Sequence, residues 1–220
     1  MYLPDQFNSQ NKSDAAELMR ANPFASLISV DDAGLPFVTH LPLHLQENPL
    51  TGLGPAPWVL LGHCAKANPH WRYLAKRSQA LVTFMGPHAY LSPRVYPDLA
   101  RVPTWNYLAV HCTVQASLIE NVDGKDKLLK KIIADHEPAY AAQWRALDSE
   151  FAQKMLGAIV GFELRVTNMQ CKLKLNQHRP ESHAAMKVVY AGGNDNERAL
   201  VAWMEKLGMG GAQHIQGDAG

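Results

Sequence analysis

The chain has 220 residues, of which 47% are hydrophobic and 19% charged, and its formal net charge is +1 with histidine neutral. That mixture excludes a disordered chain, and the near-zero charge excludes a strong general field for nucleic acid, whose binding rests on many cations facing phosphate. No window approaches the ~20 consecutive apolar residues of a membrane-spanning helix, and the three cysteines, Cys64, Cys112 and Cys171, form no C-x-x-C pair, which argues against a disulfide framework and for a reducing compartment.

A chain of this length is served by one hydrophobic core, so a single domain over residues 1–207 with appended helices is expected, and 208–220, rich in Gly, read as a frayed tail. The N-terminal stretch MYLPDQFNSQNKSD lacks the charged-then-apolar layout of a signal peptide, so a cytoplasmic location is expected.

Ser13 is a good N-cap for a helix to about Arg20, which Asn22-Pro23 stops. Two apolar runs, FASLISV and PFVTHLPLHL, flank Asp31-Asp32-Ala33-Gly34, the turn chemistry of a β-hairpin. A Gly- and Pro-rich loop, ENPLTGLGPAP, then leads to a third, buried strand, WVLLGHC, and Asn68-Pro69 opens a short helix to Arg77. QALVTFMG and YLAVHCTVQASLIE read as strands, joined by a long aromatic and Pro-rich connection, PHAYLSPRVYPDLARVPTWN; connections of that length are uncommon unless they carry function.

Leu128, Leu129, Ile132 and Ile133 give the spacing of an amphipathic helix whose lysines lie largely on the solvated side. A helix near Ser149–Leu156, a final strand or two in AIVGFELRVTNMQCKLKL, and helices from Pro180 and Asn194 complete the chain. Strands dominate the middle with helices between and after them. The expected fold class is therefore α+β, built on an antiparallel barrel with peripheral and C-terminal helices.

There is no G-x-S-x-G elbow, P-loop, H-E-x-x-H helix or complete G-x-G-x-x-G fingerprint, since Gly52-Leu53-Gly54 runs into Pro. His40 and His44 would share a face of a straight strand, but Pro42 separates them and no partner carboxylate or Cys is evident, so no metal site is expected. His63-Cys64 and His111-Cys112 are strand neighbours that point to opposite faces, which disqualifies each as a thiol dyad. Three segments remain, GHCAKANPHWR, FMGPHAYLSPRVY and VPTWNYLAVH, each joining cations or imidazoles to Trp or Tyr at a strand end. A flat, anionic, aromatic ligand uses that mixture: cations and backbone N–H groups for a phosphate, apolar faces for a ring. Filling of the core beneath a long loop accounts for the same aromatics, and spacing alone leaves both readings open.

The motifs Met1-Tyr2-Leu3-Pro4 with Phe7, His63-x-x-Lys66-Ala67-Asn68-Pro69-His70-Trp71, Gly86-Pro87-His88-Ala89-Tyr90 with Ser92-Pro93, Val102-Pro103-Thr104-Trp105-Asn106-Tyr107 with Val110-His111, and Lys174-Leu175-x-Gln177-x-Arg179-Pro180 occur in this order. Together they resemble the PaiB-type family, FMN-binding negative transcriptional regulators, from residue 1 to about residue 207. The resemblance implies an FMN-binding split barrel in which two subunits of a homodimer form flavin sites along their interface. It implies that Phe37, Val38, Thr39, His40 and Leu41 run beside the flavin ring and that His63 and Lys66, with Asn68, approach the phosphate. Trp105, Asn106 and Tyr107 would close the site, and Gln177 belongs to its C-terminal motif. The chain departs from the family pattern at Lys66, where Arg is usual, at Arg94-Val95, where Ser-Trp is common, and at Asn176 and His178. Lysine neutralises phosphate without the bidentate fork of Arg.

Three functions follow: an FMN-binding regulatory protein, an FMN-dependent oxidoreductase that takes electrons from NAD(P)H, or a cofactor-free barrel that binds a partner. Whether the protein is an enzyme stays open, and His40, His88 and His111 are only candidates by type for a base. DNA is a conceivable partner without support from charge or from a helix-turn-helix signal.

Overall fold

The computed structural model describes residues 1–47, 58–98 and 100–210. The loop expected over 48–57, with Gly52-Leu53-Gly54, and the tail over 211–220 lie outside the described residues. Seven strands form one sheet in the order β2-β1-β5-β6-β7-β4-β3. The strands are β1 Phe24–Val30, β2 Pro36–Pro42, β3 His44–Gln46, β4 Val59–Ala65, β5 Gln79–Leu91, β6 Thr104–Ile119 and β7 Ile159–Lys174. The helices are α1 Lys12–Ala21, α2 His70–Lys76, α3 Val122–His136, α4 Ala141–Ala146, α5 Ser149–Gly157, α6 His183–Ala191 and α7 Asp195–Lys206. Among the described residues, no helix is long and apolar enough to cross a membrane.

The chain divides into two compact units. The larger is Lys12–Phe84 with Val110–Gln170, and the smaller is Met1–Asn11, Met85–Ala109 and the chain from Cys171 onward.

In the larger unit, α1 buries Ala15, Ala16, Leu18 and Met19, the stripe that helical period places on one side. It ends where the Asn22 amide donates to the Leu18 carbonyl at 2.9 Å and Pro23 follows. β1 and β2 pair antiparallel, with Ala25, Leu27 and Ser29 opposite Leu41, Thr39 and Phe37. The hairpin loop is tied by Asp31, whose Oδ1 accepts from the Ala33 and Leu35 N–H groups at 2.9 and 2.8 Å, and Gly34 supplies a φ of +84°. β4 lies between β3 and β7, antiparallel to both. At its centre, a Cβ on Gly62 would come within 2.5 Å of Leu43 Cδ2 and 3.0 Å of Phe162 Cε2, so only glycine admits the two side chains. α3 starts on Asn121, whose side chain accepts from the Gly124 N–H at 2.6 Å.

In the smaller unit, the side chains of Leu91, Leu108, Leu173, Leu175, Met186, Tyr190, Leu200 and Met204 are buried. α7 carries a capping box between Asn194 and Glu197. Asn176, just beyond β7, has a φ of 65°, which asparagine tolerates better than most residues. It is buried, and its Nδ2 donates to Tyr96 Oη and Ser182 Oγ, both at 2.9 Å, while His183 Nε2 meets its carbonyl at 3.0 Å.

The connection expected over 87–106 is shorter than the sequence reading made it. β5 continues through Pro87 to Leu91, and β6 begins at Thr104. Beyond Pro87, exposed His88 and Tyr90 alternate with buried Ala89 and Leu91, the period of a strand. The region read as a final strand or two is one strand, β7, of 16 residues.

Candidate functional site

In the larger unit the site is built from β2, β4 and the turn before α2. Strand alternation divides the five β2 residues. Phe37, Thr39 and Leu41 share the face of Ala25, Leu27 and Ser29, whereas Val38 and His40 share the other with Ser26 and Phe24. On the first face, the Phe37 ring meets His70 and Tyr73 edge-on, each at 5.1 Å between centroids. On the second, Val38 and His40 are exposed, His40 Nδ1 lies 2.9 Å from Ser26 Oγ, and its ring stacks on Phe24 at 6.5 Å. The five residues thus cannot all face one ligand.

The turn that carries Lys66 is braced at four points. Lys66 N–H donates to the Ala158 carbonyl at 2.8 Å and Asn68 N–H to the Ala65 carbonyl at 2.9 Å. Trp71 Nε1 donates to the Lys66 carbonyl at 3.1 Å, and Asn68 Nδ2 donates to Thr39 Oγ1 at 3.1 Å. Thr39 Oγ1 also lies 2.7 Å from His70 Nδ1. Because Asn68 fills the acceptor side of the Thr39 hydroxyl, the assignment that leaves fewest groups unpaired has the hydroxyl donate to Nδ1 and puts the imidazole proton on Nε2. His70 is only 1% exposed, and Nε2 has no hydrogen-bond partner among the described residues. Burial pushes its pKa down to about 4, so the ring is neutral at pH 7.

The Lys66 side chain on this braced turn is exposed and makes no ion pair among the described residues. His63, on β4 opposite Gly161, is half-buried, and burial lowers its pKa. Burial also raises the pKa of the neighbouring Cys64 thiol, which weakens any thiolate chemistry there. A fixed turn with an uncommitted cation, an orphaned buried N–H donor and apolar residues on the adjacent strand fits a ligand with a phosphate and an aromatic ring.

The smaller unit holds the other expected residues. On β6, Trp105 and Tyr107 face one way and Asn106 the other. Trp105 is 53% exposed and contacts His88 and Tyr90 at 6.3 and 6.1 Å between ring centroids. Asn106 is fully buried and donates to Tyr190 Oη at 3.1 Å; burial pushes the pKa of that phenol up to about 12. Gln177, in the turn after β7, folds back on the end of that strand, with Oε1 accepting from the Leu175 N–H at 2.9 Å and Nε2 donating to the Leu173 carbonyl, although it also lines an open cavity of about 930 Å³ with Phe7 and His183. Asn106 and Gln177 thus do structural work on the described contacts, Trp105 presents an exposed ring, and the Tyr107 ring is met by the ammonium groups of Lys172 and Lys174. His88 Nδ1 rests 3.1 Å from the Gly86 carbonyl, and His111 is half-buried.

Sequence reasoning quoted His70 and Lys174 within motifs without giving either a role, and passed over Lys172. His70 lies within a quoted motif, but its pairing with Thr39 spans 31 positions. Lys172 and Lys174 had a visible signal, since an i, i+2 pair on a strand shares a face. His44, set aside for want of a carboxylate, is in contact with Asp135 of α3.

The fold defines a class first. Flavocytochrome Anf3 from Azotobacter vinelandii matches 77% of this chain and 70% of its own with a TM-score of 0.58 at 17% identity. The FAD and heme binding protein from Mycobacterium smegmatis matches 85% of this chain and 80% of its own with a TM-score of 0.56 at 20% identity. The chain shares the α+β split-barrel fold of these two proteins. The sequence then gives the family. A family model described as "Putative FMN-binding domain" matches residues 1–168, and the chain is 33% identical over 187 residues to Protease synthase and sporulation protein PAI 2 of Bacillus subtilis (strain 168), covering 83% of this chain and 84% of that protein. The chain belongs to this PaiB-type, FMN-binding family, and its cofactor is FMN.

Proposed function

We propose that this protein is an FMN-binding regulator of the PaiB type, acting as a cytoplasmic homodimer, with Lys66 and its braced turn holding the flavin phosphate. The observation that carries the site assignment is the Thr39–Asn68–His70 network, which fixes the turn that bears the exposed Lys66. Val38 and His40 are assigned to the open face of β2, with His63 behind the turn. The family resemblance alone assigns Trp105 and Tyr107, which belong to the smaller unit, to the flavin ring. FMN, when bound, supplies reversible one- and two-electron transfer, and the chain supplies orientation and charge. His70 acts as a neutral hydrogen-bonding group, since its ring stays unprotonated well below pH 7. The regulatory part of the proposal rests on the named role of the Bacillus relative in protease synthesis and sporulation.

Lys66→Ala should weaken FMN by about 10- to 150-fold, the worth of a lost charge-assisted hydrogen bond, and leave riboflavin, which lacks the phosphate, nearly unaffected. Titration by flavin fluorescence checks this, and equal losses for both ligands would remove Lys66 from the phosphate site. A second reading, an FMN-dependent oxidoreductase, is favoured by the exposed Trp105–His88–Tyr90 cluster, a surface on which a flat acceptor could stack. Stopped-flow mixing of the FMN-loaded protein with NADH and NADPH separates the two, because flavin that is bleached by neither excludes that reading. A visible spectrum that stayed flavin-free after addition of FMN would leave the partner-binding barrel standing.

A further inference from the structure

In the smaller unit, β7 aims two ammonium groups at one phenol ring. Lys172 Nζ lies 5.1 Å and Lys174 Nζ 5.9 Å from the centroid of Tyr107. Lys172 is only 5% exposed and Lys174 is half-buried. Among the described residues neither faces a carboxylate. Glu181, the acidic group near the end of this strand, lies 3.6 Å from Arg101. The partners present are neutral: the Tyr2 carbonyl at 3.0 Å for Lys172, and Thr104 Oγ1 at 2.6 Å and the Trp105 carbonyl at 2.7 Å for Lys174.

Buried charge of one sign is costly unless something compensates it. The faces of Tyr2 and Tyr107 recover part of that cost through cation–π attraction, but they do not neutralise two charges. Each ammonium has three N–H groups. One hydrogen bond from Lys172 and two from Lys174 therefore leave three N–H groups uncommitted among the described contacts. Desolvation, and then repulsion by Lys172, lowers the Lys174 pKa, which is the direction expected of a cation still waiting for its anion.

We propose that Lys172 and Lys174, against the ring of Tyr107, form a binding site for a phosphate monoester. Two cations over one ring match a group that carries about −1.5 to −2 charges at pH 7 and offers three acceptor oxygens. The ester has two conceivable sources, the phosphate of FMN itself or a separate phosphorylated small molecule. A separate ligand would leave Lys66 to hold the flavin phosphate, whereas the flavin source would move that phosphate from Lys66 to this pair, and Lys66→Ala would then leave FMN affinity unchanged.

Inorganic phosphate, titrated calorimetrically into FMN-free protein at low salt with chloride as the control anion, tests the site. Wild type should bind it, and Lys174→Met and Lys172→Met should each weaken binding by about tenfold or more, while Lys174→Arg keeps it. In phosphate-free buffer Lys174→Met should melt at or above the wild-type temperature, because it removes an uncompensated charge; phosphate should raise the midpoint of wild type but not of this variant. A lysine serving only the fold would instead lower the midpoint when replaced and leave phosphate binding alone. Repeating the titration on FMN-loaded protein identifies the source: loss of phosphate binding means that the flavin phosphate occupies the pair, and retained binding with the same Lys174 dependence means a separate ligand. No phosphate binding by wild type, or equal binding by wild type and both methionine variants, overturns the proposal. FMN affinity, measured on the same proteins by fluorescence, should fall in Lys174→Met if the pair holds the flavin phosphate and stay unchanged if the ligand is separate.

Discussion

At the scale of single residues, His70 shows how burial and one hydroxyl set a side chain's chemistry. A histidine whose folded-state pKa is about 4, against an ordinary value near 6.5, binds fewer protons folded than unfolded between those limits. Its contribution is therefore fully present above about pH 6.5 and is lost as pH falls toward 4. Urea unfolding across this window should show wild type losing stability on acidification, with His70→Gln lacking that part of the slope. Identical slopes would mean that the ring is protonated in the fold. Thr39, the partner that orients His70, was given a place beside the flavin by the family resemblance, whereas His70 stood in a quoted motif with no role assigned. A hydrogen bond across 31 positions leaves no trace in local spacing.

At the scale of elements, β4 is held by shape more than by propensity. Gly62→Ala gains a better strand former but forces a Cβ against Leu43, Phe162 and Leu41, at 2.5, 3.0 and 3.1 Å. The overpacking should dominate, at about 1–3 kcal/mol, and a lower urea midpoint at unchanged m-value checks it. The β1–β2 hairpin, β4, α2 and the amphipathic α3 were legible in the sequence because turn residues, caps and period agree there. The ends of β5 and β6 were not. Gly86-Pro87 reads as a strand breaker, yet the chain continues in the β period through His88, Ala89, Tyr90 and Leu91, since proline forfeits one ladder bond and not the extended conformation. Of the candidate site, the Lys66 turn and the Trp105–Tyr107 segment were visible as motifs. The inward turn of Asn106 and Gln177 was not, because it depends on α6 for Asn106 and on a side chain folding back on β7 for Gln177.

At the scale of the whole molecule, a net charge of +1 gives no electrostatic reason for copies of the chain to repel one another. Phe24, Leu35 and Val38 of the β1–β2 hairpin are 68%, 62% and 45% exposed, and β2 ends the strand order. Apolar side chains on a terminal strand are a surface that natural proteins usually cover. A symmetric dimer is expected, and light scattering that returned a monomer at micromolar concentration would rule it out. Replacing Phe24 and Val38 by Ser should shift that equilibrium toward monomer without unfolding the chain, since neither side chain is part of the buried set.

The left-handed residue after β7 bears on how that part of the chain moves. Asn176 gathers Tyr96, Ser182 and His183 onto one side chain and one carbonyl, so moving the step from strand to α6 disturbs three hydrogen bonds. The amides around that turn are therefore expected to exchange with a similar protection, which hydrogen exchange would check. The turn that ends the final strand thereby behaves as a latch, and motion in the smaller unit is expected to start elsewhere.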